Sequence, residues 1–223
     1  SFNHAIGTAI EPGSTFKLAS LMAAMSKGNV KPYDEIDTGN GITYFYGKRM
    51  SDSNADQGGS GILNTTEIFE VSSNVGTALT IKNAFGDRPQ IFLDALKGIG
   101  IHTPCGVRLA GESKPMVYKN VGDGRWSGLS LTQMSIGYEV TQTPLQTLTL
   151  YNAVANDGTS VRPQLVERLE NNGEVVATFE PEILNQRICQ PDVLSACQEM
   201  LTSVADPEGK GTAQYIFAKS PYR

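Results

Sequence analysis

A chain of 223 residues that is 39% hydrophobic and 18% charged can bury a substantial core and has the composition of an ordinary globular domain. Its net charge of −5 and its lack of Lys/Arg runs exclude nucleic acid as the main partner, because phosphate binding needs a basic surface. Three cysteines without CxxC spacing and two isolated histidines, His4 and His102, exclude a disulfide framework and leave little for a zinc site or a histidine-activated nucleophile. No apolar run approaches the ~18 residues of a membrane span. The chain opens on "SFNHAIG" without a Met and closes on "FAKSPYR", as expected of a piece of a longer protein, so the lack of a targeting segment carries no information.

In chain order, the first predicted helix starts at Ser14 behind a Pro-Gly turn. It sets Leu18, Leu21, Met22 and Met25 on one face and ends at Gly28. Being apolar nearly all round, it is expected to be a buried central helix. Residues 41–58 read as short strands and turns with Gly47 at a hairpin tip. Asn64 and Glu67 have capping-box spacing and open a helix, followed by a break near Ser72–Gly76 and a second helix. "RPQIFLDALKG" gives another, with Gly98 just past its end, and the Gly- and Pro-rich residues 104–128 read as an irregular loop. Ser130 and Gln133 suggest a further capping box. Thr143, Pro144 and Gln146 mark the clearest helix start in the chain, with Gly158 as its stop. Asn172-Gly173 predicts a tight hairpin, "PDVLSACQEMLTSVAD" a last helix, and "PEGKGTAQ" a mobile loop. No linker or internal repeat divides the chain.

Two groups of residues carry chemistry. Ser14 and Lys17, three apart in "EPGSTFK", share one helix face at a helix start, where free N–H groups favour negative charge. A lysine desolvated in an apolar wall can serve as the base that activates such a serine. Ser72-Ser73-Asn74 sits at the break between two helices: a second hydroxyl there could relay a proton to a leaving amine, and the amide could hold the lysine and a substrate carbonyl. Ser51-Asp52-Ser53-Asn54 lies too early to be that second group and reads as a turn.

With "VSSNVG", "IGYEVTQTPLQ" and "YNAVANDGTSVRPQLV" following "EPGSTFK" in that order, the chain resembles the class B penicillin-binding proteins, monofunctional peptidoglycan D,D-transpeptidases, and most closely their division-type members. The resemblance implies an α+β, predominantly helical fold: the helical lobe of the β-lactamase/transpeptidase-like fold, with short hairpins and most of a five-stranded sheet missing. Residues 1–223 would form one domain, incomplete at both ends. Ser14 would be the acylated nucleophile, Lys17 its base, Ser72 and Asn74 the second motif with Ser73 its variable middle residue; no metal or cofactor is implied. The partners implied are peptidoglycan stem peptides, β-lactam antibiotics and, through the parent, a membrane glycan polymerase and other division proteins. The parent would be held in the cytoplasmic membrane by an N-terminal anchor outside this chain, with its catalytic domain on the periplasmic or external face.

The family's third motif, Lys-Thr/Ser-Gly, is absent. Lys210-Gly211-Thr212 has those letters in the wrong order, and Tyr222-Arg223 is expected to stand just ahead of the motif. The isolated piece is therefore expected to show little activity, and open strand edges would favour self-association. Two other readings compete: a serine β-lactamase or β-lactam sensor built on the same two motifs, and a catalytically silent scaffold of the division machinery.

Overall fold

The computed structural model describes residues 2–217. Two short opening elements, α1 (His4–Gly7) and a 3-10 turn (Gly13–Phe16), lead into α2 (Lys17–Lys27), whose residues 17–24 are all buried. Around α2 pack α3 (Thr65–Glu70), α4 (Asn74–Phe85), α5 (Pro89–Ile99) and α8 (Pro191–Ala205). One core runs through this group: Leu18, Leu21 and Met22 of α2 meet Ile68, Ile81, Phe85, Phe92, Leu96 and Met200, with the Phe85 and Phe92 rings 5.5 Å apart. Each such side chain contributes roughly 1.5–3 kcal/mol by leaving water. The central helix expected from the apolar run is this one, and Gly28 caps it.

Among the described residues the strands form four separate antiparallel pairs. β1 (Glu35–Asp37) pairs with β4 (Ile62–Asn64), and β2 (Ile42–Phe45) with β3 (Lys48–Ser51). β5 (Ser160–Val161) pairs with β8 (Ile183–Asn185), and β6 (Arg168–Asn171) with β7 (Glu174–Thr178). Both predicted hairpin tips form two-residue turns: Tyr46-Gly47 at φ 49° and 79°, Asn172-Gly173 at φ 51° and 85°. Positive φ at both positions matches the strand twist. The capping boxes at Asn64/Glu67 and Thr143/Gln146 are both closed, the second opening α7 (Pro144–Ala155). Gly158, at φ 81°, donates its N–H to the Ala153 carbonyl and ends that helix. Residues 104–128 are irregular apart from one bridge between Met116 and Thr141. Among the described residues no helix is long and apolar enough to cross a membrane, and the three cysteines are free and buried.

Several boundaries differ from the sequence expectation. Helix α5 runs on through Gly98 and is capped by Gly100 at φ 98°. The Ser130–Gln133 box does not form. Helix α6 (Ser130–Ser135) begins at Ser130 itself, with Leu129 at the cap position and no side-chain cap; Ser130 Oγ accepts from Ser127 N at 3.0 Å and donates to Glu139 Oε2 at 2.6 Å. "PEGKGTAQ" is tied down rather than loose: the Lys210 N–H bonds the Glu70 carboxylate, Thr212 N donates to Glu70 O at 3.2 Å, and Gln214–Phe217 form a final turn, α9. Tyr222-Arg223 lie outside the described residues.

Gly76 belongs to α4, not to the break before it. A Cβ there would stand 2.7 Å from Ile68 Cγ1, so glycine is what lets α3 and α4 meet so closely. Gly76→Ala is expected to lower stability by about 1–3 kcal/mol through overpacking against the fully buried Ile68. The sign opposes the roughly 1 kcal/mol that alanine gains over glycine in a helix; urea denaturation measures it.

Candidate functional site

The run from Gly13 is helical from its first residue, but it begins as a 3-10 turn and Ser14 caps nothing with its side chain. Pro12, at φ −72° and ψ −14°, already has helical backbone angles, so there is no extended residue at which a side-chain cap could form. The tight turn has a consequence. In 3-10 geometry residues three apart are eclipsed, so the exposed Ser14 stands over Lys17, whose N–H bonds the Ser14 carbonyl. A regular α-turn would set the two slightly askew.

Lys17 is fully buried. Its Nζ donates to the Ser72 carbonyl at 2.6 Å and to Ser72 Oγ at 3.1 Å. Burial pulls its pKa down from 10.5 to about 8, and the nearby Asp52 carboxylate opposes that fall. An amine in this range is a usable base near neutral pH.

Ser72 owes its position to the end of α3. The Ser73 N–H bonds the Ile68 carbonyl and the Ser72 N–H that of Phe69, the paired bonds of a Schellman stop. Ser72 occupies the left-handed position of that stop at φ 56°, where glycine is the usual residue. A serine there costs about 1–2 kcal/mol, and it supplies both a carbonyl and a hydroxyl to one ammonium. Ser73 then caps α4, its Oγ accepting from Gly76 N at 2.8 Å. Two helix ends thus meet within three residues, and the middle serine is the hinge pin between them.

The structure bonds Lys17 to Ser72 and sets Ser14 one 3-10 turn ahead of that lysine. Asn74 stands one step aside: its Nδ2 donates to Ser51 O at 2.9 Å, fastening α4 to the β2–β3 hairpin. The lysine is held by Ser72 rather than by this amide. Beside Asn74 lies a residue that the sequence reading set aside as part of a turn. Asp52 is buried, its Oδ1 accepting from Asn74 N at 2.6 Å and Val75 N at 2.9 Å, its Oδ2 from Ser73 Oγ at 2.8 Å. The spacing that disqualified it as a second motif concerned position in the chain; the hairpin cancels that distance in space.

The serine turn is clamped from the other side by the segment after α6. Gly13 N donates to Gly137 O at 3.2 Å, and Glu139 N to Glu11 Oε1 at 2.9 Å. Ile10 and Gln142 form an antiparallel bridge. Glu139 sits at φ 55° and is held there by Ser130 Oγ and, at 3.1 Å, by the Tyr118 hydroxyl. From α7, Tyr151 OH donates to Thr15 O at 3.0 Å, and burial pushes that phenol up to about 12, keeping it a donor. Glu11, Gly137, Glu139 and Tyr151 went unassigned in the sequence reading. Their only signal was that all four fall in blocks whose order, not chemistry, stood out. A groove of about 600 Å3 between Arg108, Arg162 and the base of the β6–β7 hairpin lies apart from all of these residues.

A family model described as the penicillin binding protein transpeptidase domain matches residues 2–223. The penicillin-binding protein PbpB of Mycolicibacterium smegmatis is 30% identical over 213 residues, which is 95% of this chain and 31% of that protein. The peptidoglycan D,D-transpeptidase FtsI of Escherichia coli K12 is 26% identical over 215 residues, 96% of this chain and 32% of that one. The chain thus spans about a third of the length of these relatives. Penicillin-binding protein 3 of Mycobacterium tuberculosis, solved with aztreonam, superposes with a TM-score of 0.75 at 27% identity, over 95% of this chain and 45% of that one. With a family match running from Phe2 to Arg223 and a serine-lysine turn packed against a second serine motif, this chain belongs to the penicillin-binding protein transpeptidase domain family.

Proposed function

We propose that this chain carries the nucleophile side of a peptidoglycan D,D-transpeptidase of the division type. The observation that carries the reading is the pair of bonds from a buried Lys17 to Ser72, one 3-10 turn after an exposed Ser14. Neutral Lys17 accepts the Ser14 hydroxyl proton as Oγ attacks the carbonyl of the D-Ala-D-Ala bond in a stem peptide. The tetrahedral intermediate collapses, and the Ser72 hydroxyl passes a proton to the departing D-Ala amine while taking one from the Lys17 ammonium, which returns to neutral. An amine from a neighbouring strand then attacks the acyl-serine, forming the cross-link and restoring Ser14. A β-lactam enters at the first step and leaves its opened ring on the same oxygen. Asn74 stiffens the rim of the site through Ser51.

No Lys-Thr-Gly or Lys-Ser-Gly triplet occurs in the 223 residues. In this reading the family's third motif lies further along the parent protein and supplies the second oxyanion donor, whose loss costs roughly 100- to 1000-fold. The parent is anchored in the cytoplasmic membrane, with this domain on the outer side, where a glycan polymerase would deliver the strands to be joined.

Intact mass after incubation with benzylpenicillin tests the reading, on this chain and on the full-length protein, each with a Ser14→Ala control. The expected result is a single-penicillin adduct on the full-length protein that vanishes with Ser14→Ala, and a trace or none on the isolated chain. An adduct that survives Ser14→Ala, or none on folded full-length protein, would sink it and promote the scaffold reading.

A further inference from the structure

The Asp52 carboxylate makes three hydrogen bonds to the first turn of α4, and among the described residues no other acidic side chain bears on Lys17. It reaches that place because Asp52 directly follows β3 and its own N–H is anchored on the Gly41 carbonyl at 2.8 Å. The short side chain thus stands on an anchored backbone, with Oδ1 facing two backbone N–H groups and Oδ2 the Ser73 hydroxyl. The bonds it accepts come from Ser73 and the two residues after it, the residues that fix where Ser72 ends. A twelve-residue helix presents its positive end to this anion.

We propose that Asp52 is a positioning residue for the acyl transfer, rigidly holding Ser72 with both oxygens on Lys17 Nζ and setting a negative charge against that ammonium. The proposal rests on the reading of Ser14 and Lys17 as nucleophile and base. It assigns a role to a residue outside the two serine motifs, on a hairpin that makes no bond to Ser14.

The other charged groups on the elements around Lys17 are engaged elsewhere. On α3, Glu67 and Glu70 face Lys210 and its backbone. On α4, Lys82 lies over the Phe45 ring, 5.1 Å from its centre. On α5, Asp94 and Lys97 bear on His102. On α8, Asp192 bears on Cys189, and Glu199 accepts from the Tyr33 hydroxyl. Asp52 is accordingly the charge whose removal the lysine should register.

The test is the acylation rate of full-length protein by benzylpenicillin against pH, over roughly pH 6 to 10, for the wild type, Asp52→Asn and Asp52→Ala. Losing the negative charge makes Lys17 easier to deprotonate, so the acid limb of the profile should move to lower pH, by about half to one unit in Asp52→Asn. The plateau rate should fall roughly 10-fold as Ser72 loosens. Asparagine keeps the acceptor facing Asn74 and Val75, so this variant should fold even where the alanine variant does not. A lower melting temperature with the acid limb unmoved would mean that Asp52 is only a helix cap, and would overturn the proposal. Wild-type protein that takes no penicillin at any pH would instead remove the transpeptidase reading beneath it, a failure visible without any Asp52 variant.

Discussion

Replacing Lys17 with methionine is expected to slow acylation of the full-length protein by benzylpenicillin about 100- to 10,000-fold, the usual contribution of a general base, while leaving the chain folded. The two halves of this expectation come from one fact. A fully buried ammonium held by neutral oxygens is costly, and the fall of its pKa from 10.5 to about 8 measures that cost. At about 1.4 kcal/mol per pH unit the folded state gives up about 3 kcal/mol at neutral pH to keep the charge in place. Methionine has similar length, no charge and a place among apolar neighbours, so it recovers that amount. It also strands the Ser72 carbonyl, at about 1–3 kcal/mol, and the net change should lie within about 2 kcal/mol of wild type. The sign of the pH dependence separates this from a general effect on packing. Below pH 8 both folded and unfolded wild-type lysines are protonated and the full cost applies. Between about 8 and 10.5 the folded lysine loses its proton first, the unfolded chain binds more protons, and stability rises with pH. Lys17→Met should lack this rise, so the stability difference between the two proteins, read from urea titrations at pH 7 and pH 10, should shift toward wild type at the higher pH. A variant that acylates within tenfold of wild type would remove Lys17 from its role as base.

The elements legible in the sequence were those whose signals are local. Asn64/Glu67, Thr143/Gln146, Asn172-Gly173 and the apolar run after Lys17 each fix their own turn or helix with side chains a few positions away, and each formed as read. The Ser130–Gln133 spacing looked equally local and failed: Ser130 is the first residue of the helix rather than the one before it, and its Oγ accepts from Ser127 N behind it while donating to the Glu139 carboxylate. Spacing alone could not reveal those partners. The same limit hid Asp52. Its partners are Ser73, Asn74 and Val75, and only the pairing of β2 with β3 and the packing of that hairpin on α4 bring them within reach. Gly76 and Gly98 were misplaced for a related reason. One glycine can mark a stop, a turn or a close helix contact, and what lies opposite it decides among these. The serine-lysine turn stood out because its members lie three positions apart and a helix supplies their geometry. The residues that clamp it are contributed from more than a hundred positions away.

Gly137→Ala should act on that clamp, and do so more severely than its size suggests. Gly137 lies at φ 84°, and a Cβ there would stand 2.1 Å from the Gly13 carbonyl oxygen and 2.7 Å from Gly13 C and N. All three are backbone atoms, so no rotamer change relieves the collision. The segment after α6 and the turn carrying Ser14 must separate by about an ångström, a displacement that near an attacking atom costs on the order of 100-fold in rate. The left-handed alanine adds about 1–2 kcal/mol of its own, and the Gly13 N–Gly137 O bond is lost with the contact. A total of about 3 kcal/mol or more is expected, a fall of roughly 6–12 °C in melting temperature for a chain of this size. Gly173→Ala separates strain from collision. Gly173 has nearly the same angle, φ 85°, but sits at the hairpin tip with nothing within 4 Å of its would-be Cβ. It should cost only the left-handed penalty and leave acylation unchanged. Should the two variants fall by equal amounts in both melting temperature and penicillin acylation, the approach of Gly137 to Gly13 would not be what fixes the nucleophile turn, and the weight would pass to the Glu139–Glu11 and Tyr151–Thr15 bonds.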